Sequence, residues 1–351
     1  MPSIMDKLKK NSKLDSDIIT KSKYYGKKDM SPTDVPMLNV ALSGSVEGGL
    51  SPGVTIFAGP SKHFKTSFAL KIASAYMKQH EDAVMLFYDS EFGSPQSYFE
   101  MFGIDMERVL HTPIVNLEEL KFDLVSQLEN LEKGDKVIVV VDSLGNLASK
   151  KEIDDALAEK STVDMTRAKV MKSVFRMITP HLSMKDIPFL GIAHTYDSQE
   201  MFSKKVVSGG TGLYYSADDI WILGRRQNRE GKTGPILGYD FVINVEKSRY
   251  VREKSIIPIS VTWEGGVDAY SGLLDVALAG QFVVKPSKGW YSKVDQETGD
   301  VEDKKYRAKE LTEEFWSDIL ASDKFKDFVE ENFKINGKIN VEVVDVDEIE
   351  D

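Results

Sequence analysis

The sequence has no cysteine and no long apolar run, and each absence removes a class of protein. Without cysteine there can be no disulfide framework, no thiol catalysis and no cysteine-ligated zinc. The five histidines do not show the short spacing of a histidine-ligated zinc site. No apolar segment approaches the roughly 18–20 residues of a membrane span, and the lysine-rich start lacks the apolar stretch of a signal peptide. We therefore expect a cytoplasmic protein without a membrane partner.

An excess of basic residues is lacking as well, because the formal net charge is −11. Phosphate neutralisation needs lysine and arginine, so this value by itself argues against a nucleic-acid partner. The charge is unevenly placed, however. Residues 1–30 hold eight lysines against four aspartates, while the last eleven residues hold six acids and no base. The net charge therefore neither excludes nor selects a nucleic-acid partner.

What is present is an alternation of apolar strands and amphipathic helices along the 351 residues. Strands are predicted at 54–59, 83–89, 136–143, 188–194 and 218–223, helices at 66–79, 117–131 and 166–184, and a hairpin-type pair at 240–248 and 256–263. The β-branched run at 136–143 indicates a strand that is buried on both faces of its sheet. The alternation predicts an α/β fold with a mostly parallel central sheet flanked by helices.

Composition shifts divide the chain into four parts. We predict an arm at 1–35, a core at 36–270, a small C-terminal domain at 271–338 and an acidic tail at 339–351. The arm is polar and rich in lysine, so a flexible terminus is the alternative to a segment that packs on another copy. From about residue 271 the pattern becomes helical and charged, and the tail has the composition of a disordered segment.

The sharpest local signal is a glycine-opened turn between a predicted strand and a predicted helix. Such a loop directs backbone N–H groups at phosphates, while a lysine reaches the terminal phosphates and a hydroxyl ligates Mg²⁺. The pattern expects glycine before the lysine, and this chain has Phe64 there, so an ordinary strand–helix turn is the alternative. The residues predicted to bind nucleotide here are Gly59, Pro60, Ser61, Lys62, His63, Phe64, Lys65, Thr66 and Ser67.

Two acids follow other predicted strands. Asp142 ends the strand at 136–143, where a carboxylate can hold the water shell of Mg²⁺ together with Thr66. Glu91 directly follows the strand at 83–89, where it can orient or deprotonate an attacking water. Each acid alone is equally compatible with a solvated loop. Because the loop and both acids lie at the carboxyl ends of consecutive strands, we predict an ATP-hydrolysing site with ATP and Mg²⁺ as cofactors.

Six sequence blocks in one order resemble the RecA recombinase family, and within it the UvsX branch of T4-type phages. The blocks are GPSKHFKT (59–66), LFYDSEFG (86–93), VIVVVDSLGNLASKKE (137–152), HTYDSQEMFSKK (194–205), GGTG (209–212) and VEKSR (245–249). The resemblance covers residues 24–292 and weakens in the tail. The same branch carries phenylalanine before the loop lysine, so Phe64 is similar to a variant of that lineage.

The resemblance implies a RecA-type P-loop ATPase core that forms a helical filament of identical copies on single-stranded DNA. Such a filament pairs with homologous duplex DNA and exchanges strands in recombination, repair and recombination-dependent replication. The family also implies a recombination mediator and a single-strand DNA-binding protein as partners. For a phage protein the compartment is the cytoplasm of the host cell.

The resemblance also assigns roles around the nucleotide. Lys65 and Thr66 match the residues that bind phosphate and Mg²⁺, Asp142 and Ser143 match the Mg²⁺-side strand, and Glu91 matches the water-activating glutamate. Tyr98 falls where the family stacks an aromatic ring on adenine, although Pro95 replaces a nearby acid.

Further residues match positions that link nucleotide, neighbour and DNA. Lys247 and Arg249 match two cations that reach the ATP of the next subunit, and two solvated strand residues are the alternative. His194 stands where the family has a glutamine that senses the γ-phosphate, and a core histidine bonded to backbone is the alternative.

The DNA-binding loops are expected near 149–165 and 195–210. Lysines in them can neutralise backbone phosphates, while methionine and phenylalanine can wedge between bases, although acids in both loops cancel much of the charge. The candidate DNA-binding residues are Lys150, Lys151, Lys160, Met201, Phe202, Lys204 and Lys205. The cluster Arg225, Arg226 and Arg229 is equally compatible with a solvated hairpin.

Three functions remain open at this point. The first is a DNA-dependent ATPase that exchanges strands. The second is an ATP-gated filament scaffold that coats single strands without productive hydrolysis, which Phe64 would favour. The third is a ring-forming helicase motor built on the same core, and the VEKSR and DNA-loop blocks favour a recombinase over it.

Overall fold

A computed structural model describes residues 3–14, 16–24, 26, 28–160, 166–198, 205–229, 234–263 and 266–335. The predicted positions Met201, Phe202 and Lys204, the whole acidic tail and residues 161–165 lie outside this set. Among the described residues, no helix combines the length and apolarity needed to cross a bilayer.

The elements follow one another from the arm to the C-terminal segment. The helices are α1 (Ile4–Asn11), α2 (Pro36–Ser43), α3 (Lys65–Gln79), α4 (Gln96–Met101), α5 (Leu117–Asn130), α6 (Lys150–Leu157), α7 (Thr166–Lys185), α8 (Gly210–Ser216), α9 (Leu273–Ala279), α10 (Glu313–Ala321) and α11 (Asp323–Phe333). The strands are β1 (Gly53–Ala58), β2 (Val84–Asp89), β3 (Val109–Pro113), β4 (Val137–Asp142), β5 (Pro188–Ala193), β6 (Thr195–Asp197), β7 (Lys205–Val207), β8 (Asp219–Arg229), β9 (Ile236–Lys247), β10 (Ile256–Thr262), β11 (Gly266–Val267), β12 (Val283–Ser287) and β13 (Trp290–Lys293).

Nine of the described strands form one sheet in the order β11-β10-β9-β8-β1-β5-β4-β2-β3. The six strands from β8 to β3 run parallel, and β9, β10 and β11 extend the sheet in antiparallel fashion. This confirms the predicted α/β fold with a mostly parallel central sheet, and it confirms the antiparallel pair at 240–248 and 256–263.

The middle of the sheet is buried on both faces. Every residue of β1, β4 and β5 is buried, as the continuous β-branched run in β4 predicts. Helix α3 packs into the apolar cluster on one face, and α5 and α7 pack into the cluster on the other. This rigid centre fixes the positions of the loops that leave its strands.

The sequence missed one strand of the parallel sheet. β3 lies between β2 and β4 in the chain, so the strands that carry Glu91 and Asp142 are not consecutive, and the expectation that they are is wrong. β3 is an edge strand with three of its five residues exposed, and it therefore lacks the apolar run by which the other strands were found. In the sheet, β2 and β4 are nevertheless neighbours.

The C-terminal segment is less purely helical than its charge pattern predicts. It contains the hairpin of β12 and β13 as well as three helices. Its buried aromatic residues Phe282, Phe315, Trp316 and Phe325 belong to the same apolar cluster as α2 and α3. This packing attaches the segment to the core, and the division of the chain at residue 270 stays a prediction.

Candidate active site

The carboxyl ends of β1, β2, β4 and β5 lie at one edge of the sheet because these strands are parallel. The loop 59–66 leaves β1, Glu91 follows β2, Asp142 ends β4 and His194 follows β5. The sheet thus brings together four groups that are far apart in sequence, at the edge where open α/β sheets bind ligands.

The loop 59–66 has the backbone of an anion-binding turn. Lys62 and Phe64 both adopt left-handed φ angles of 62°, and His63 between them does not. Such an alternation of backbone conformations is typical of turns whose successive N–H groups face an anion. No side chain caps the N-terminus of α3, so its first N–H groups stay open to a ligand. At Gly59 a Cβ would lie 3.1 Å from the carbonyl oxygen of Leu223, which explains the glycine that opens the loop.

Phe64 takes the left-handed conformation that glycine adopts more easily. Its ring stacks on Phe241 with centroids 4.8 Å apart and meets Phe68 edge to face at 5.2 Å. The conformation costs about 1 kcal/mol in a residue with a Cβ, and burial of an aromatic ring offsets a loss of that size. Phe64 therefore fits the loop backbone, and its side chain anchors the loop to β9.

Lys65 is buried and points back at its own loop. Its Nζ donates to the carbonyl oxygen of Pro60 at 2.9 Å. Burial lowers the pKa of the Lys65 ammonium, and the carboxylates of Glu91 and Asp142 partly offset this effect. A buried ammonium held by a single carbonyl is suited to an incoming anion.

The residues present fit a magnesium ion beside the loop. The hydroxyl of Thr66 donates to Oδ2 of Asp142 at 2.8 Å, while the buried Oδ1 of Asp142 has no hydrogen-bond partner among the described residues. Burial raises the pKa of the Asp142 carboxyl to about 6, with Glu91 and Asp89 contributing. An orphaned buried carboxylate oxygen next to a hydroxyl is the donor set that Mg²⁺ uses together with phosphates.

Three side chains converge on one oxygen of Glu91. The hydroxyl of Ser143 lies 2.5 Å from Oε1, the amide of Asn146 donates to it at 2.8 Å, and Nε2 of His194 lies 3.2 Å from it. The turn that carries Glu91 is held by Asp89, whose Oδ1 accepts the N–H groups of Glu91 and Phe92. Sequence reasoning selected Glu91, Ser143 and His194 but missed Asn146 and Asp89.

Two exposed aromatic rings lie on other segments, and one of them is linked to the loop 59–66. Tyr98 is on α4 and is 39% exposed. Trp263, which the sequence reasoning missed, is 64% exposed and meets Tyr239 edge to face at 5.4 Å. Tyr239 in turn supports the guanidinium of Arg225, which donates to the carbonyl oxygen of Lys62 at 3.0 Å. The sequence signal that could have identified Trp263 is a tryptophan at the end of a predicted strand.

Lys247 and Arg249 lie at the opposite edge of the sheet. Lys247 pairs in register with Ile220 at the amino end of β8, the edge at which β1 begins. Its Nζ donates to the carbonyl oxygens of Tyr214 and Ala217 at the end of α8, at 2.8 and 2.6 Å. Within one chain, the structure does not bring Lys247 to the loop 59–66.

Arg249 is more loosely held than Lys247. Its Nε lies 2.5 Å from Oδ1 of the buried Asp218, while 66% of the arginine side chain is exposed. Asp218 also accepts the N–H of Val54 at the start of β1 through Oδ2, at 2.8 Å. Arg249 therefore projects from the amino edge and is held there by its ion pair with the buried Asp218.

The predicted DNA-loop lysines are placed in two short elements. Lys150 and Lys151 begin α6, where Lys151 pairs with Asp155, and Lys160 is exposed just after this helix. Lys205 begins β7, which pairs with β6, and its Nζ lies 2.8 Å from Asp197. Both elements leave the sheet at the same edge as the loop 59–66.

Two family descriptions match the chain and together cover most of it. The RecA N-terminal domain matches residues 18–268. The C-terminal domain described as "Bacteriophage T4, Recombination and repair protein" matches residues 270–329.

Two curated proteins are similar to the chain over most of their length. The recombination and repair protein of Enterobacteria phage T4 is 51% identical over 345 residues, which are 96% of this chain and 88% of that protein. Protein RecA of Halalkalibacterium halodurans is 22% identical over 301 residues, which are 84% of this chain and 80% of that protein.

Proposed function

The chain belongs to the RecA family, as the six sequence blocks predicted, and from this membership we propose that it is an ATP-dependent DNA recombinase. It forms a filament on single-stranded DNA, pairs that strand with homologous duplex and exchanges strands. The observation that carries the proposal is the meeting of an anion-binding loop, an orphaned buried carboxylate and a triply held glutamate at one edge.

The loop 59–66 binds the phosphates of ATP. The open N–H groups of α3 receive the phosphate oxygens, and Lys65 exchanges the carbonyl of Pro60 for the terminal phosphates. Thr66 and Asp142 hold Mg²⁺, which when bound neutralises the charge that develops on the phosphates. Support comes from the raised pKa of Asp142, because a buried carboxylate without a cation is poorly stabilised.

Glu91 receives the proton of the attacking water. A carboxylate that is held through Oε1 presents Oε2 in a fixed direction, as a general base requires. His194 connects this carboxylate with β6 at the start of the second predicted DNA loop. A change in that loop can thereby reach the hydrolytic group.

The placement of charge on opposite edges of the sheet supports the proposed filament formation. A head-to-tail stack of identical copies brings the amino edge of one copy to the carboxyl edge of the next. Arg249 of one copy then reaches the phosphates bound by its neighbour and stabilises the charge of the transition state. The exposed apolar residues of α1, which include Ile4 and Leu8, give the arm a face to bury on an adjacent copy.

DNA lies against the edge from which the two predicted loops leave. Lys150, Lys160 and Lys205 contribute to the neutralisation of the DNA backbone there. Tyr98 and Trp263 offer planar surfaces on which the nucleotide base can stack. A recombination mediator and a single-strand DNA-binding protein complete the proposed set of partners.

The test is the formation of joint molecules between a single strand and a linear duplex in the presence of ATP and Mg²⁺. The proposal expects joint molecules with a homologous duplex and none with an unrelated duplex. Coating of the single strand without pairing would favour the filament scaffold. Displacement of a strand irrespective of homology would favour the helicase.

A further inference from the structure

We propose that Asn146 is a positioning residue for Glu91, and that Arg167 at the base of the first predicted DNA loop holds Asn146 in place. The inference rests on the proposed role of Glu91 as the base that activates water. It adds a second connection between a DNA loop and the hydrolytic carboxylate, separate from the one through His194.

Asn146 is exposed, and its side chain nevertheless contacts Glu91 directly. Its Nδ2 donates to Oε1 at 2.8 Å, which is shorter than the 3.2 Å between His194 and the same oxygen. An exposed asparagine normally exchanges such a bond with water, and the bond persists only where the backbone holds the side chain in place.

The turn around Asn146 is anchored on both sides. Leu144 and Leu147 are buried, and the N–H of Leu144 donates to the carbonyl oxygen of Ile192 on β5 at 2.8 Å. Gly145 lies so close to His194 that a Cβ there would be 2.5 Å from the imidazole Cδ2. On the other side, Ala148 accepts the N–H of Leu117 at 3.0 Å. Two buried leucines and backbone bonds to neighbouring elements leave the turn little freedom.

Arg167 fastens the centre of the same turn. Its Nε donates to the carbonyl oxygen of Leu147 at 2.8 Å, and its terminal nitrogen donates to Leu144 and Gly145 at 3.1 and 2.9 Å. One planar guanidinium thus binds the carbonyls on both sides of Asn146, a geometry that a lysine ammonium cannot reproduce. A group with this many fixed bonds positions the turn.

The location of Arg167 gives the contact a function. Arg167 is the second residue of α7, which begins directly after the first predicted DNA loop at 149–165. A change in that loop acts on the start of α7 and reaches Glu91 through the turn and Asn146. Asn146 and His194 therefore hold one carboxylate oxygen from two different loops, so both loops must be in place for Glu91 to be aligned.

The experiment measures ATP hydrolysis by the full chain with and without single-stranded DNA for Asn146→Ala and Asn146→Asp. Asn146→Ala removes the donor, and Asn146→Asp keeps its shape but places an acceptor against the carboxylate. We expect a fall in kcat of about ten- to hundred-fold, with the KM for ATP and the midpoint of thermal unfolding unchanged. Arg167→Lys is expected to lower kcat in the same way by a smaller factor.

The matched control is Asn130→Ala. Asn130 is an exposed asparagine at the end of α5 whose Nδ2 donates one bond, to the carbonyl oxygen of Ser126 at 2.8 Å. It does not contact Glu91, so its loss leaves kcat unchanged. In a chain that already carries Glu91→Gln, Asn146→Ala is expected to cause no further fall in the residual rate, because it acts through Glu91.

The outcomes separate this inference from the proposed function. Full hydrolysis by Glu91→Gln would overturn the role of Glu91 as base. An inactive Glu91→Gln together with an unchanged kcat for Asn146→Ala would overturn only the positioning role. A rise in KM at constant kcat would contradict it as well, because Asn146 would then bind nucleotide.

Discussion

The two edges of the central sheet carry charged groups that are organised in different ways. At the carboxyl edge, Lys65 begins the helix after β1, Glu91 follows β2 and Asp142 ends β4, and the three charges influence one another. At the amino edge, Lys247 and Arg249 are bound by the nearby carbonyls of α8 and by Asp218. The first edge has the parts of the proposed catalytic site within one chain. Among the described residues, the second edge has cations but no loop like 59–66.

The difference shows which groups a single copy can complete. At the carboxyl edge, one buried carboxylate oxygen and the first N–H groups of α3 have no side-chain partner among the described residues, which suits the proposed site for ATP, Mg²⁺ and water. In the proposed filament, the amino edge acts only against another copy. Its two cations also differ, because Lys247 donates to backbone carbonyls at the end of α8 whereas Arg249 is largely exposed.

The largest effect is expected at the carboxyl edge, from Glu91→Gln. Loss of the base should lower kcat for ATP by about 10²- to 10⁴-fold, while Lys65, Thr66 and Asp142 still bind the nucleotide. Rapid-quench hydrolysis and binding of a fluorescent ATP analogue measure the two properties. Weak binding together with weak hydrolysis would show that Glu91 serves the nucleotide site as a whole.

At the amino edge, Arg249→Ala and Lys247→Ala should have different consequences. Arg249→Ala should lower DNA-dependent hydrolysis by at least about ten-fold, with a small loss of stability because the buried Asp218 loses its ion pair. Lys247→Ala should reduce the free energy of unfolding by about 1–2 kcal/mol, because the carbonyls at the end of α8 lose a charged donor. Hydrolysis rates and chemical denaturation of both variants test this difference between the two residues. It would be contradicted if both variants lost hydrolysis equally and Lys247→Ala kept its stability.

The sequence predicted which main groups lie at the carboxyl edge, but not the contacts that hold them in place. Apolar strands, a glycine-opened loop and strand-end acids are local signals, so Lys65, Glu91 and Asp142 could be selected before any fold was known. Asn146 and Arg167 could not, because their roles depend on contacts between segments that local patterns do not encode. Edge strand β3 was missed for the related reason that its exposed residues carry no apolar pattern.

The resemblance to a family supplied what local patterns could not at the amino edge. Lys247 and Arg249 have no motif of their own, and an alternating strand explains them equally well. Only the fold shows that they lie opposite the loop 59–66, and only the side-chain contacts distinguish one from the other.

A pH dependence is expected from Asp142, whose pKa is raised to about 6 by burial. A carboxyl with a pKa above its unfolded value stabilises the nucleotide-free fold most at low pH, and this contribution is lost as the pH rises through about 6. Binding of Mg²⁺ and nucleotide needs the ionised form, so their affinity should weaken by up to about ten-fold per pH unit below that value. Calorimetric titrations between pH 5 and 7, with Asp142→Asn as control, measure the effect. An equally steep profile in Asp142→Asn would assign it to another group.

The smallest effect is expected from Phe64→Gly in the loop 59–66. Glycine removes the backbone strain but also the ring contacts with Phe241 and Phe68, so the free energy of unfolding should fall by about 1–2 kcal/mol. The KM for ATP should change little, since the ring packs against Phe241 and Phe68. If Phe64→Gly lost affinity for ATP, Phe64 would instead be part of the nucleotide-binding surface.

In the proposed filament, the two edges form one site between successive copies. Mixing Glu91→Gln with Arg249→Ala in equal amounts tests it, because each variant alone hydrolyses ATP slowly and each carries its defect at a different edge. Random head-to-tail stacking predicts that about a quarter of the junctions pair an intact Glu91 with an intact Arg249, so the mixture should regain up to that share of DNA-dependent hydrolysis. A mixture no more active than the sum of its two components would contradict the claim.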